Sequence, residues 1–222
     1  MDVVKLHNLD RSPIFAFSNI GRPKVVSARD YLKRLGIKNV RTDDRPLHES
    51  RLWNERQASE PDLVIAAANE KKVRYYIESG FPPIQLYGTT GQNWQAALIR
   101  HEPFGKACSL CLFPRDQEPA PTACATAPEL ARQSDDEKVD AALPFLSFAA
   151  GLMTAAEVLK LRLPGYPFSA DRIILGTRPE PSLISAPLQH RSGCLCEHRN
   201  KAVHRAMLSG SRYQPSEPKA CS

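Results

Sequence analysis

The chain has 222 residues, enough to bury one substantial core or two small ones, and its 42% hydrophobic content is ordinary for a soluble globular protein. Charged or proline residues interrupt every apolar stretch well before the roughly 20 residues of a membrane helix, and the opening MDVVKLHNLDRSPIF lacks a basic-then-apolar leader. No membrane association and a cytoplasmic location are therefore expected. The net charge of +6 is spread along the chain, with only short clusters such as Lys71, Lys72 and Arg74; that makes a solvated face and argues against nucleic acid as a partner.

In chain order, KVVSARDYLKRL over residues 24–35 places apolar side chains at helical intervals and stops at Gly36, a natural helix cap. NVRTDD (39–44) and DLVIAAAN (62–69) read as strands, the second a continuous apolar run of the kind buried on both faces of a parallel sheet. A short helix over 70–79 follows, then PPIQLYG and WQAALIRH as two further strands, the latter leading directly to CSLC. Residues 114–140, rich in Pro, Ala and charge without a period, form a long crossover. An amphipathic helix over about 143–163 carries Leu146, Ala149, Met153, Ala156 and Leu163 on one stripe and ends at Pro164 and Gly165. RIILGT and SLISAPL make two more strands before GCLCEHRN, a short helix over 201–208, and a polar tail over 209–222 expected to be disordered. Strands alternating with helices, followed by strands in direct succession, predict an α/β fold: an open, mostly parallel sheet with an antiparallel extension.

Cys108 and Cys111 form C-x-x-C, and Cys194 and Cys196 form C-x-C some eighty residues later. Four thiolates can complete a closed tetrahedral shell, which suits zinc and leaves no position for water, so such a site is structural and not catalytic. The plainer alternative is four independent thiols in a reducing compartment. A redox C-x-x-C is a third reading, but it normally opens a helix after a strand, and CSLCLFP does not read that way. Two tight pairs in one chain favour metal. Cys221 lies in the tail; Cys124, alone in the crossover, is either a surface thiol or a mobile nucleophile.

Four segments, in order, resemble the ThiF/MoeB/HesA superfamily, relatives of ubiquitin-activating enzymes: DVVKLHNLDRSPIF with IGRPK; DLVIAAANE; CSLCLFP with PTAC; and GLMTAAEVLKL. The resemblance covers most of residues 2–163. It implies an incomplete Rossmann-like domain over residues 1–208 in which Asp2, Asn8, Arg11 and Lys24 take nucleotide-contacting positions, the cations neutralising phosphate charge. Ser12 stands where many members have glutamine. Asn69 falls where the family holds the aspartate that helps bind Mg2+ at the phosphates, and a carboxamide offers only a neutral oxygen there. Cys124 matches the crossover cysteine that accepts the activated acyl group or takes part in sulfur transfer. A plainer reading of Asn8, Arg11 and Lys24 is a capping residue and two solvated cations; the C-x-x-C-L-F-P run favours the family reading.

What the resemblance implies is ATP-dependent adenylation of the C-terminal carboxylate of a ubiquitin-like or sulfur-carrier protein, with structural Zn2+, by a chain that is commonly a homodimer in this superfamily. Yet no G-x-G-x-x-G occurs, and the family's first strand, glycine-rich turn and helix have no counterpart before Asp2. Three expectations stay open: a truncated or degenerate adenylyltransferase, half of a split enzyme whose partner completes the nucleotide loop, or a zinc-stabilised binding module without catalysis.

Overall fold

A computed structural model describes residues 2–10, 12–54, 63–68, 71–80, 84–91, 94–101, 107–112, 143–161, 163, 171–194 and 196. The chain divides into two compact units, Met1–Glu60 and Pro61–Ser222. The expected boundary at residue 208 and the helix over 201–208 lie outside the described residues.

The first unit is built from short turns and one full helix. Val3 bridges Pro23, and the amide of Lys24 donates to the carbonyl of Asp2 at 2.9 Å, so the start of the chain is laced to the start of helix α1, Lys24–Arg34. Two 3-10 turns use one device twice. Asn8 Oδ1 accepts from the Lys5 amide at 2.9 Å, and Asn19 Oδ1 from the Ala16 amide at 2.8 Å, each closing a turn whose backbone donors would otherwise be unmet. Helix α1 ends as its glycine predicts. Gly36 takes φ +86°, its amide donates to Lys33, and the Ile37 amide reaches back to Leu32, the paired C-terminal bonds of a Schellman motif. A 3-10 turn at Leu47–Glu49 leads into the one-turn helix α2, Arg51–Asn54.

NVRTDD does not form a strand. A strand needs a ladder partner, and no other strand stands among the described residues of this unit. Its polar end instead winds around Asp43, whose carboxylate accepts from the Arg45 side chain, the Ser50 hydroxyl and the Arg51 amide at 2.7–2.9 Å.

The second unit is a mixed five-stranded sheet in the order β1-β2-β3-β4-β5, with strands Val64–Ala66, Gln85–Gly91, Gln95–His101, Arg172–Gly176 and Ser182–Ala186. β1 and β2 are parallel and joined through helix α3, Lys71–Gly80; the remaining three pairings are antiparallel. Thus the α/β class and the antiparallel extension both hold. Among the described residues, however, the sheet is mixed and parallel only between β1 and β2, not mostly parallel as expected, because β2 leads directly into β3 and β4 into β5 with no crossover helix between them. Helix α4, Ser109–Leu112, is a single turn that packs with α3, and helix α5, Pro144–Lys160, packs against β2 and β3.

Strand parity explains how this sheet is covered, because successive side chains point to opposite faces. On β3, Ala96 packs with Leu146 and Ala150 of α5, and Arg100 meets Glu157 of the same helix, so the even positions face α5. His101 meets Glu78, so the odd positions face α3. With both faces covered, Leu98 and Ile99 are 1% and 0% exposed, and Leu86 and Tyr87 on the adjacent strand β2 are as deeply buried. On the α5 side Gly88 makes room for Thr154: a Cβ there would stand 3.0 Å from the Thr154 hydroxyl, which itself donates to the Ala150 carbonyl.

The buried face of α5 differs from the expected stripe. Leu146, Ala150, Thr154 and Glu157 are its centre; Ala149 and Met153 flank it, while Ala156 and Leu163 are exposed. Phe145, Phe148, Leu152 and Leu159 are exposed too. A helix apolar on nearly every side has no dominant period by which sequence could choose the face.

A four-cysteine cluster and its buried ion pair

The two sulfur pairs, eighty-odd residues apart in sequence, meet. All four Sγ atoms of Cys108, Cys111, Cys194 and Cys196 lie within 4.8 Å of one another, with Cys108–Cys194 at 3.6 Å and Cys111–Cys196 at 3.4 Å. These are not disulfides, whose sulfurs stand about 2.05 Å apart. A tetrahedron with zinc–sulfur bonds of about 2.3 Å has edges of about 3.8 Å, close to both spacings. The donor set therefore fits a soft or borderline ion held in a closed shell.

Each pair owes its posture to a local turn. The amide of Cys111 donates to the Cys108 carbonyl at 3.0 Å across α4, which turns both thiols to one side. On the other arm, the Cys194 amide donates to the Arg191 carbonyl at 3.1 Å, and Gly193 at φ +74° supplies the left-handed residue that this turn requires. Cys108 and Cys194 are buried, and Leu110 and Tyr75 pack against the cluster. The C-x-x-C does open a helical turn, contrary to expectation, so its position alone does not separate a metal knuckle from a redox pair. Convergence with the second pair does.

The thiols do not titrate alike. Hydrogen bonding from Cys108, only partly offset by burial, draws Cys196 down to about 5; burial pushes Cys111 up to about 11; and Cys108, which shares its proton with Cys196, is pushed up.

Behind the sulfurs lies a polar group that sequence reasoning missed. Glu78 of α3 is 2% exposed. Its Oε2 meets His101 Nδ1 at 2.8 Å and its Oε1 accepts from the amide of Ser109, inside the C-x-x-C, also at 2.8 Å. Burial pushes the Glu78 carboxyl up and the His101 imidazole down, but their mutual attraction and hydrogen bond outweigh it: Glu78 ends below its usual range and His101 above. Arg74, one turn before Glu78, is buried as well and donates to Thr89 Oγ1 at 3.3 Å. The one hint in sequence was Arg100-His101 ending an otherwise apolar strand; each residue takes a carboxylate on its own face of the sheet.

Among the expected nucleotide-contacting residues, Asp2 and Lys24 come together, Lys24 Nζ donating to Asp2 Oδ2 at 2.8 Å. Asn8 is buried, with its carbonyl oxygen committed to the Lys5 amide. Arg11, Asn69 and Cys124 lie outside the described residues.

The ThiF family profile matches residues 1–181. No curated protein matches by sequence. Among solved structures, E. coli MccB with ATP is similar at a TM-score of 0.60 and 16% identity over 87% of this chain and 56% of that one. E. coli MccB with MccA-N7isoASN gives 0.60 and 17% over 87% and 57%. PaaA gives 0.54 and 18% over 83% and 62%. This chain therefore spans under two thirds of the length of these neighbours, and the likeness is one of fold.

Proposed function

This chain belongs to the ThiF family, and from that premise we propose that it acts in the ATP-dependent activation of a protein or peptide C-terminal carboxylate. The partner in this reading is a ubiquitin-like or sulfur-carrier protein. Its carboxylate oxygen attacks the α-phosphorus of ATP, the bond to the β-phosphate oxygen breaks, and pyrophosphate leaves an acyl adenylate. Cys124 then attacks the acyl carbon as thiolate, and AMP departs. The observation that supports this best is a family match over most of the chain together with the convergence of Cys108, Cys111, Cys194 and Cys196.

In this reading Asp2 holds Lys24 in place, Lys24 and Arg11 neutralise phosphate charge, Asn8 offers its amide NH2, and Asn69 offers a neutral oxygen toward Mg2+. Zinc, held by the four cysteines, closes the loop between two distant segments and takes no part in the chemistry. We place the protein in the cytoplasm, as a homodimer or with a complementing subunit; no described helix is long and apolar enough to cross a membrane. A second reading, a binding module that recognises the carrier without adenylating it, is favoured by Asn69, an amide where the family places a carboxylate.

Pyrophosphate exchange into ATP with a candidate carrier protein separates the two. The first reading expects exchange by the wild type and about 100-fold less in Lys24→Ala, the usual cost of one lost charge-stabilising donor. Binding of the carrier with no exchange establishes the module instead.

A further inference from the structure

The pair Glu78–His101 has no part in the proposed reaction, and carboxylates are rarely buried this deeply without a task. Its placement is costly in a second way, because a carboxylate set against the turn that carries the sulfurs repels the thiolates that would hold an ion. An apolar residue would pack here without either penalty. What the carboxylate does that no apolar residue can is to span three elements, since it stands on α3, takes the His101 ring of β3 on one oxygen and the Ser109 amide of α4 on the other. Ser109 is wholly buried, so its amide has no water to turn to.

We infer that Glu78 is a positioning residue for the metal knuckle: through the Ser109 amide it fixes the turn that carries Cys108 and Cys111, and His101 fixes Glu78. The inference rests on the zinc reading given above. The same helix also sends Tyr75 against the sulfur cluster, so α3 sets the knuckle through both packing and a hydrogen bond. Holding two thiols in place before the ion arrives lowers the ordering cost of binding, as outer partners of metal ligands do elsewhere.

The test uses the full chain with zinc, measuring zinc affinity by competition with a chromophoric chelator and tetrahedral geometry by the absorption of the cobalt-substituted protein. Glu78→Gln keeps the shape but weakens the acceptor, and is expected to bind zinc about 10- to 100-fold more weakly, with altered cobalt bands. Glu157→Gln, which removes a buried carboxylate from the opposite face of the sheet, serves as the control and should leave both readouts near wild type. Equal losses in the two variants, or none in a folded Glu78→Gln, overturn the positioning role. A wild type that binds no zinc overturns the zinc reading itself. Should Glu78→Gln not fold, Ser109→Pro is compared with Ser109→Ala, so that the hydroxyl is absent from both and the donated N–H, at a first helical position where proline is tolerated, is absent only from the proline variant; weaker zinc binding in the proline variant alone supports the role, and equal binding overturns it.

Discussion

Asp43 shows how much one side chain can organise where backbone ladders are absent. Its carboxylate gathers two contacts from the Arg45 guanidinium, the Ser50 hydroxyl and the Arg51 amide, and so fixes the entry to α2. The Arg45 hydrogen bonds foremost, with Ser50 and backbone help, hold its carboxyl well below the usual carboxylate range, against the opposing effect of burial. A group whose folded value is depressed stabilises the fold above its unfolded value, about pH 4, and loses that contribution as pH falls through the folded value. Thermal melts followed by circular dichroism should therefore drop as pH is taken from about 5 to 2, and Asp43→Asn should show a shallower slope over this window. Equal slopes would mean that the cluster is not formed in solution.

Helix α5 divides into a face that the sheet uses and a face that it does not. Leu146 is 1% exposed and Leu152 71%, though both are leucines in one apolar run. Leu146→Ala should cost about 2–5 kcal/mol, since the transfer and cavity terms both apply in a site bounded by Ala96 and Ala150. Leu152→Ala should stay within about 0.5 kcal/mol. Chemical denaturation of both variants checks this. A large cost at Leu152 would reveal a partner covering that face.

For the molecule as a whole, the sulfur cluster ties distant segments of the second unit, joining residue 108 to 194 and 111 to 196. An ion that binds only the folded state at about 1,000 times its dissociation constant adds about 4 kcal/mol, which for a chain of this size corresponds to a melting shift on the order of 10 °C. Chelator treatment should lower Tm by that order, and elemental analysis of the untreated protein should find about one zinc per chain. An unchanged Tm in protein shown to have lost its zinc would remove the structural role.

Much of both units was legible because local signals and the global fold agree. The strands at QLYG, QAALIRH, RIILG and SLISA, the helices over 24–34 and 144–160, and the cap at Gly36 all follow from patterns that act within a few residues. The cysteine cage was legible for another reason: thiolate pairs at such spacing have few uses besides metal. Tertiary structure alone decided the rest. It left NVRTDD without a strand partner, chose the face of α5, and buried Arg74, Glu78, Arg100 and His101. A charged side chain reads as solvent-facing until its counter-charge is found, and these counter-charges lie up to 57 positions away in sequence, as Arg100 and Glu157 do, so only the folded chain brings them within reach.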